Sequence, residues 1–154
     1  VDGSRVAIAG GSFGGYLALM GAVHEPDLYR CAVTFAGVFD WAELMKMESR
    51  VKHEQTDYQV LLRRLGNPAD YAEKFEAMSP GRRVAEITMP IFVAHGKEDS
   101  VVSVGESRRL IADLKRHDIE YESLLLGGEG HGTYQIENSV EYHSAMVEFL
   151  GKHL

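Results

Sequence analysis

The sequence predicts a single α/β domain, a parallel sheet of about four strands with helices on both faces. Two observations carry this. Short, nearly continuous apolar runs alternate with segments of helical periodicity, the mark of parallel strands covered on both sides. No internal repeat, low-complexity tract or long linker divides the 154 residues, and a chain of that length can bury a sizeable core.

The elements follow in order. "RVAIAG" (residues 5–10) reads as a strand buried on both faces, and residues 14–24 as a helix. "YRCAVTFAGV" (29–38) is the second strand. A mixed, charged, largely helical region runs from Trp41 to Met78, broken at "GNP" (66–68), where Pro68 suits the first turn of a helix. "MPIFVAHG" (89–96) is the third strand, and Ser103 to His117 a helix with Val104, Leu110, Ile111 and Leu114 on one side. "IEYESLLLGG" (119–128) is the fourth strand. Glu137 to His153 closes the chain as an amphipathic helix carrying Val140, Met146, Val147 and Leu150.

Composition narrows the function. A formal charge of −7 argues against nucleic acid and anionic membrane as partners, since both call for basic patches. No apolar run approaches the roughly 20 residues of a membrane span. The single Cys31 excludes an internal disulfide framework. The compartment stays open, with the cytoplasm as a default. The chain opens at Val1, close before a buried-strand pattern, and is read as a piece of a longer protein.

In such sheets chemistry collects at the carboxyl ends of the strands. Four places lie there: the glycine turn in "AIAGGSFGGYLALM" (7–20), "FDW" (39–41), "GKED" (96–99) and "GGEGHGT" (127–133). The glycine turn could cradle a phosphate or lift a nucleophile. A mononucleotide loop needs Lys followed by Ser or Thr, which is absent, and a G-x-G-x-x-G register from Gly10 fails at Ser12. G-x-S-x-G fits at Gly10, Ser12 and Gly14, with the flanking glycines expected where strand and helix pass too closely for side chains. The plainer alternative is a glycine-rich turn with an incidental serine.

Serine needs a base to take its proton, and the base needs an acid to hold its tautomer. Asp99 follows the third strand and His131 the fourth, in the chain order Ser, Asp, His and on the edge that carries Ser12. The Phe13 amide, next to the serine, is then one oxyanion donor. Glu98 competes as the acid but reads as solvent-facing, and Asp40 is a third candidate one strand earlier. His95 reads as a packed, hydrogen-bonded structural histidine, and His24, His53, His117, His143 and His153 as surface. No spacing of His, Cys and carboxylates suggests a metal site, and the chemistry calls for no cofactor.

The stretches "DGSRVAIAGGSFGGYLAL", "PDLYRCAVTFAGVFDW", "SP" (79–80), "MPIFVAHGKEDSVV" and "GGEGHG" resemble the catalytic domain of the prolyl oligopeptidase family of serine peptidases, over nearly the whole chain. The Ser-Phe-Gly-Gly form and "FAGVFDW" look most like its acylaminoacyl-peptidase branch. The resemblance implies the C-terminal half of an α/β-hydrolase fold and cleavage of short peptides or acylated amino acids through an acyl-enzyme on Ser12. It implies a hydrophobic specificity pocket at Val38, Trp41 and Val102, for which ordinary core packing is the alternative. Ser103 departs from the family by standing where proline is common. The resemblance further implies that the earlier strands, a β-propeller and the loop with a second oxyanion donor lie outside these residues. The first strand would then present an unpaired edge, to be covered by a second copy or by the missing N-terminal half. Two other functions remain open at this point: a carboxylesterase on the same fold, and an incompetent fragment that self-associates or docks its missing half.

Overall fold

The computed structural model describes residues 2–50 and 57–154, with Asp57 described by its backbone alone. Four strands, β1 (Ala7–Gly11), β2 (Cys31–Phe35), β3 (Ile91–Gly96) and β4 (Tyr121–Leu126), form one parallel sheet in the order β1-β2-β3-β4. The helices are α1 (Phe13–His24), α2 (Trp41–Glu48), α3 (Asp57–Leu65), α4 (Ala72–Met78), α5 (Val104–Arg116) and α6 (Ile136–His153), with two short 3-10 turns at Pro80–Arg82 and Val84–Glu86. Part of the expected helical region, residues 51–56, lies outside the described residues.

Alternation along the central strands builds two cores. Ala32, Ile91 and Val93 face Leu19, Ala22 and Val23 of α1 and Leu110 and Leu114 of α5. Cys31, Val33, Phe35, Phe92 and Ala94 face the other way, onto Phe149 and Leu150 of α6. A third cluster joins α2 and α4 through Trp41, Leu44, Met45 and Phe75, and reaches Val38 and Val102 at the carboxyl edge. Registers Gly11↔Phe35, Phe35↔Ala94 and Gly96↔Leu126 set the four carboxyl ends side by side, so all four predicted loops open on one rim.

Three expectations are corrected. β1 is not buried on both faces: Ala9 and Gly11 are exposed and the rest half-buried, because it pairs only with β2 among the described residues. Pro68 stands in a separate turn, which Asn67 closes by accepting from the Ala69 amide through Oδ1 (3.0 Å) and from the Asp70 and Tyr71 amides through its carbonyl (3.0 and 3.2 Å). Helix α4 starts only at Ala72. On α6, Val140 and Val147 are 60% and 64% exposed, and the sheet is met by the expected Met146 and Leu150 together with Tyr142, Ala145 and Phe149.

Candidate active site

The turn between β1 and α1 forces Ser12 into a left-handed conformation, φ 55° and ψ −121°. A non-glycine residue there costs of order 1–3 kcal/mol and persists only where its surroundings hold it. Two bonds hold it: the Ser12 amide donates to the Phe35 carbonyl (2.8 Å), and the Ser12 carbonyl accepts from the Tyr16 amide (3.1 Å), starting the helix. Of the glycines, Gly10 matches the expected close approach, since a Cβ there would lie 2.2 Å from the Gly14 carbonyl oxygen. Gly14 itself has open space. Gly15 does not, because its Cβ would meet the Thr34 hydroxyl at 2.8 Å and Gly37 Cα at 3.0 Å.

A line of bonds leaves the serine. Ser12 Oγ lies 2.8 Å from His131 Nε2, and His131 Nδ1 lies 2.7 Å from Asp99 Oδ2. A carboxylate only accepts, so Nδ1 carries the proton and Nε2 keeps the lone pair facing the hydroxyl. The Asp99 side chain is fully buried. Burial pushes its carboxyl up, but the bond from His131 and the amides of Val102 and Val101 together outweigh it and hold the group below the usual carboxylate range. Both amides donate to Oδ1, at 2.9 and 2.8 Å. The loop carrying His131 is fastened by Glu129, a buried carboxylate that accepts from the Tyr134 and Gln135 amides and from Asn138 Nδ2 (2.9, 2.8 and 3.0 Å). Those bonds, led by that of Tyr134, keep its carboxyl ionised below its ordinary range.

The competing acids are occupied elsewhere. Asp40 caps α2 through the Ala42 and Glu43 amides and pairs with Arg82 at 2.9 Å. Glu98 is exposed. His95 is buried and hydrogen-bonded, and it also touches Asp99.

Phe13 opens α1, where backbone amides have no acceptor inside the helix. Its ring stands against Tyr16 (5.4 Å between centroids) and Trp41 (6.3 Å). Val38, Trp41 and Val102 come together in one cluster, each buried (5%, 6% and 4% exposed). A cavity of about 290 Å³ beside Ser12 is lined by other residues, among them Phe35, His131, Gly132 and Tyr142. Glu106 was not anticipated: wholly buried on α5, it accepts from the Phe39 and Asp40 amides (2.9 and 2.8 Å) and so pins the loop between Val38 and Trp41. Glu106 carries no signal in a single sequence, where a glutamate on a polar stretch reads as solvated, and Glu129 stands inside GGEGHG without its role being read there. Among the described residues, no group of His, Cys, Asp and Glu is placed to hold a metal, and no helix is long and apolar enough to cross a membrane.

The chain is similar to known proteins along its whole length. The model of the prolyl oligopeptidase family matches residues 1–154. Dipeptidyl aminopeptidase BIII of Pseudoxanthomonas mexicana is 29% identical over 150 residues, covering 96% of this chain and 22% of the relative. A puromycin-hydrolyzing peptidase of Mycobacterium tuberculosis superposes with a TM-score of 0.89 at 27% identity, over all of this chain and 22% of that one. The acylaminoacyl peptidase of Pyrococcus horikoshii shares the fold, with a TM-score of 0.84 at 18% identity over all of this chain and 25% of that one. The chain therefore spans about a fifth to a quarter of the length of these proteins.

Proposed function

The chain belongs to the prolyl oligopeptidase family, and from that membership we propose a serine peptidase acting on short peptides or acylated amino acids. Ser12 is its nucleophile. His131 Nε2 takes the hydroxyl proton as Ser12 Oγ attacks the carbonyl, then gives that proton to the leaving amine. Asp99 keeps Nδ1–H in place and stabilises the imidazolium that forms. The Phe13 amide receives the oxyanion, and water then hydrolyses the acyl-enzyme by the same route in reverse. Val38, Trp41 and Val102, buried behind the nucleophile turn and meeting it through Phe13 and Tyr16, back the side-chain pocket rather than line the cavity beside Ser12.

The observation that carries the reading is the unbroken line from Ser12 Oγ through His131 to Asp99, at 2.8 and 2.7 Å. Incubation with a fluorophosphonate, read by intact mass, tests it. A single adduct is expected, absent from Ser12→Ala. A folded chain that takes no adduct, or takes it equally in the variant, overturns the reading. Removing such a nucleophile from comparable sites costs about 10⁶ in rate.

A further inference from the structure

Asp99 accepts more than a catalytic acid needs for orienting one imidazole. Oδ1 takes the Val101 and Val102 amides, and Oδ2 takes His131. A second imidazole reaches the same Oδ2: His95 Nε2 lies 3.1 Å away and also 2.9 Å from the Val102 carbonyl. That carbonyl can only accept, so Nε2 carries the proton. On the far side of the ring, His95 Nδ1 lies 2.7 Å from Ser107 Oγ, and both residues are buried (0% and 3% exposed).

We infer that His95 is a positioning residue for the acid of this site, its Nε2–H fixing the Oδ2 on which His131 depends. The inference rests on the roles proposed for Asp99 and His131. The requirement is a neutral ring. A charged His95 would face the His131 imidazolium across one carboxylate and oppose its formation. Burial lowers the basicity of His95, and the Val102 carbonyl and Asp99 restore only part of it. With the ring neutral, Ser107 donates its hydroxyl proton to Nδ1, which leaves the proton on Nε2. Two lines of donors then converge on Asp99, Ser107 through His95 and Ser12 through His131, with β3 and α5 behind the acid. Other charged groups nearby are committed: Glu106 to the Phe39 and Asp40 amides and Arg109, and Glu129 to the amides that begin α6. His143 faces His131 only across the cavity.

Nitrogen-15 spectra of histidine-labelled chain test this without any reaction. In the wild type, His95 should hold the Nε2–H tautomer unchanged from pH 5 to 8. Titration of His95, or a proton on Nδ1, overturns the inference. His95→Leu removes the donor that fixes Oδ2. Fluorophosphonate labelling of Ser12 should slow about tenfold. His95→Gln, whose amide N–H can occupy the Nε2 position, should restore most of the labelling rate. Packing loss alone would gain nothing from Gln, and a Gln variant as slow as the Leu variant overturns the inference. If the wild type takes no label, the peptidase proposal fails, while the spectra still decide the role of His95.

Discussion

Ser12 spends conformational energy to stand where it does, and the residues around it explain why it stays. Its amide and carbonyl are both engaged, and Gly10 leaves room for the Gly14 carbonyl in the first turn of the helix. The G-x-S-x-G pattern was legible because it reports a backbone requirement. It misplaced one glycine, since Gly15 rather than Gly14 meets the neighbouring loop, a contact made across the sheet by Thr34 and Gly37. The site is also held by two carboxylates whose pKa values the fold depresses, Asp99 and Glu129. Such groups stabilise the folded form above their unfolded pKa values, roughly 4, and that contribution is lost as pH falls through the lower folded values. Acidification below about pH 4 should therefore free the His131 loop. Hydrogen exchange at the Tyr134 and Gln135 amides checks this: protection should drop there before it drops in β3. A simultaneous loss in both would tie the loop to global unfolding instead.

At the scale of elements, α6 shows where periodicity stops being informative. The helix carries two apolar stripes, Ile136, Val140 and Val147 on one side and Tyr142, Met146, Phe149 and Leu150 on the other. The sheet takes the second, because Phe92 and Phe35 offer aromatic partners, Phe92 to Phe149 at 5.5 Å and Phe35 to Tyr142 at 5.1 Å. Phe149 is fully buried, so Phe149→Ala should cost about 3–5 kcal/mol. Val147→Ala, on the exposed stripe, should stay within about 0.5 kcal/mol. Denaturant midpoints of the two variants separate the stripes, and equal losses would mean that Val147 is packed. Strands β2 and β3 were legible for the opposite reason: buried on both sides, they leave no face to choose.

For the whole molecule the open question is the rim of β1. Its outer backbone groups face no strand among the described residues, while Phe13 and Leu17 stand exposed nearby (57% and 49%). An unpaired edge of this kind recruits another strand. In a preparation of this chain alone a second copy is the expected partner, and equilibrium sedimentation should give twice the chain's 17.1 kDa. Ala9→Lys, at an exposed edge position, should return it to the monomer. A wild-type chain that is monomeric at tens of micromolar would sink the expectation. The net charge of −7 does not oppose this, since pairing along an edge is made by backbone groups.

The order of strands and helices, the serine turn and the placing of Asp99 and His131 on its rim could all be read along the chain, because each depends on local backbone demands or on the rule that parallel strands end at one rim. Which side of α6 packs, how deeply β1 is covered, and what Glu106, Glu129 and His95 hold could not. Those depend on side-chain partners that no backbone pattern announces, 66 and 67 positions away for Glu106 but only 4 to 12 for Glu129 and His95. A buried polar side chain looks like a solvated one until its partners are in place, and only folding supplies them.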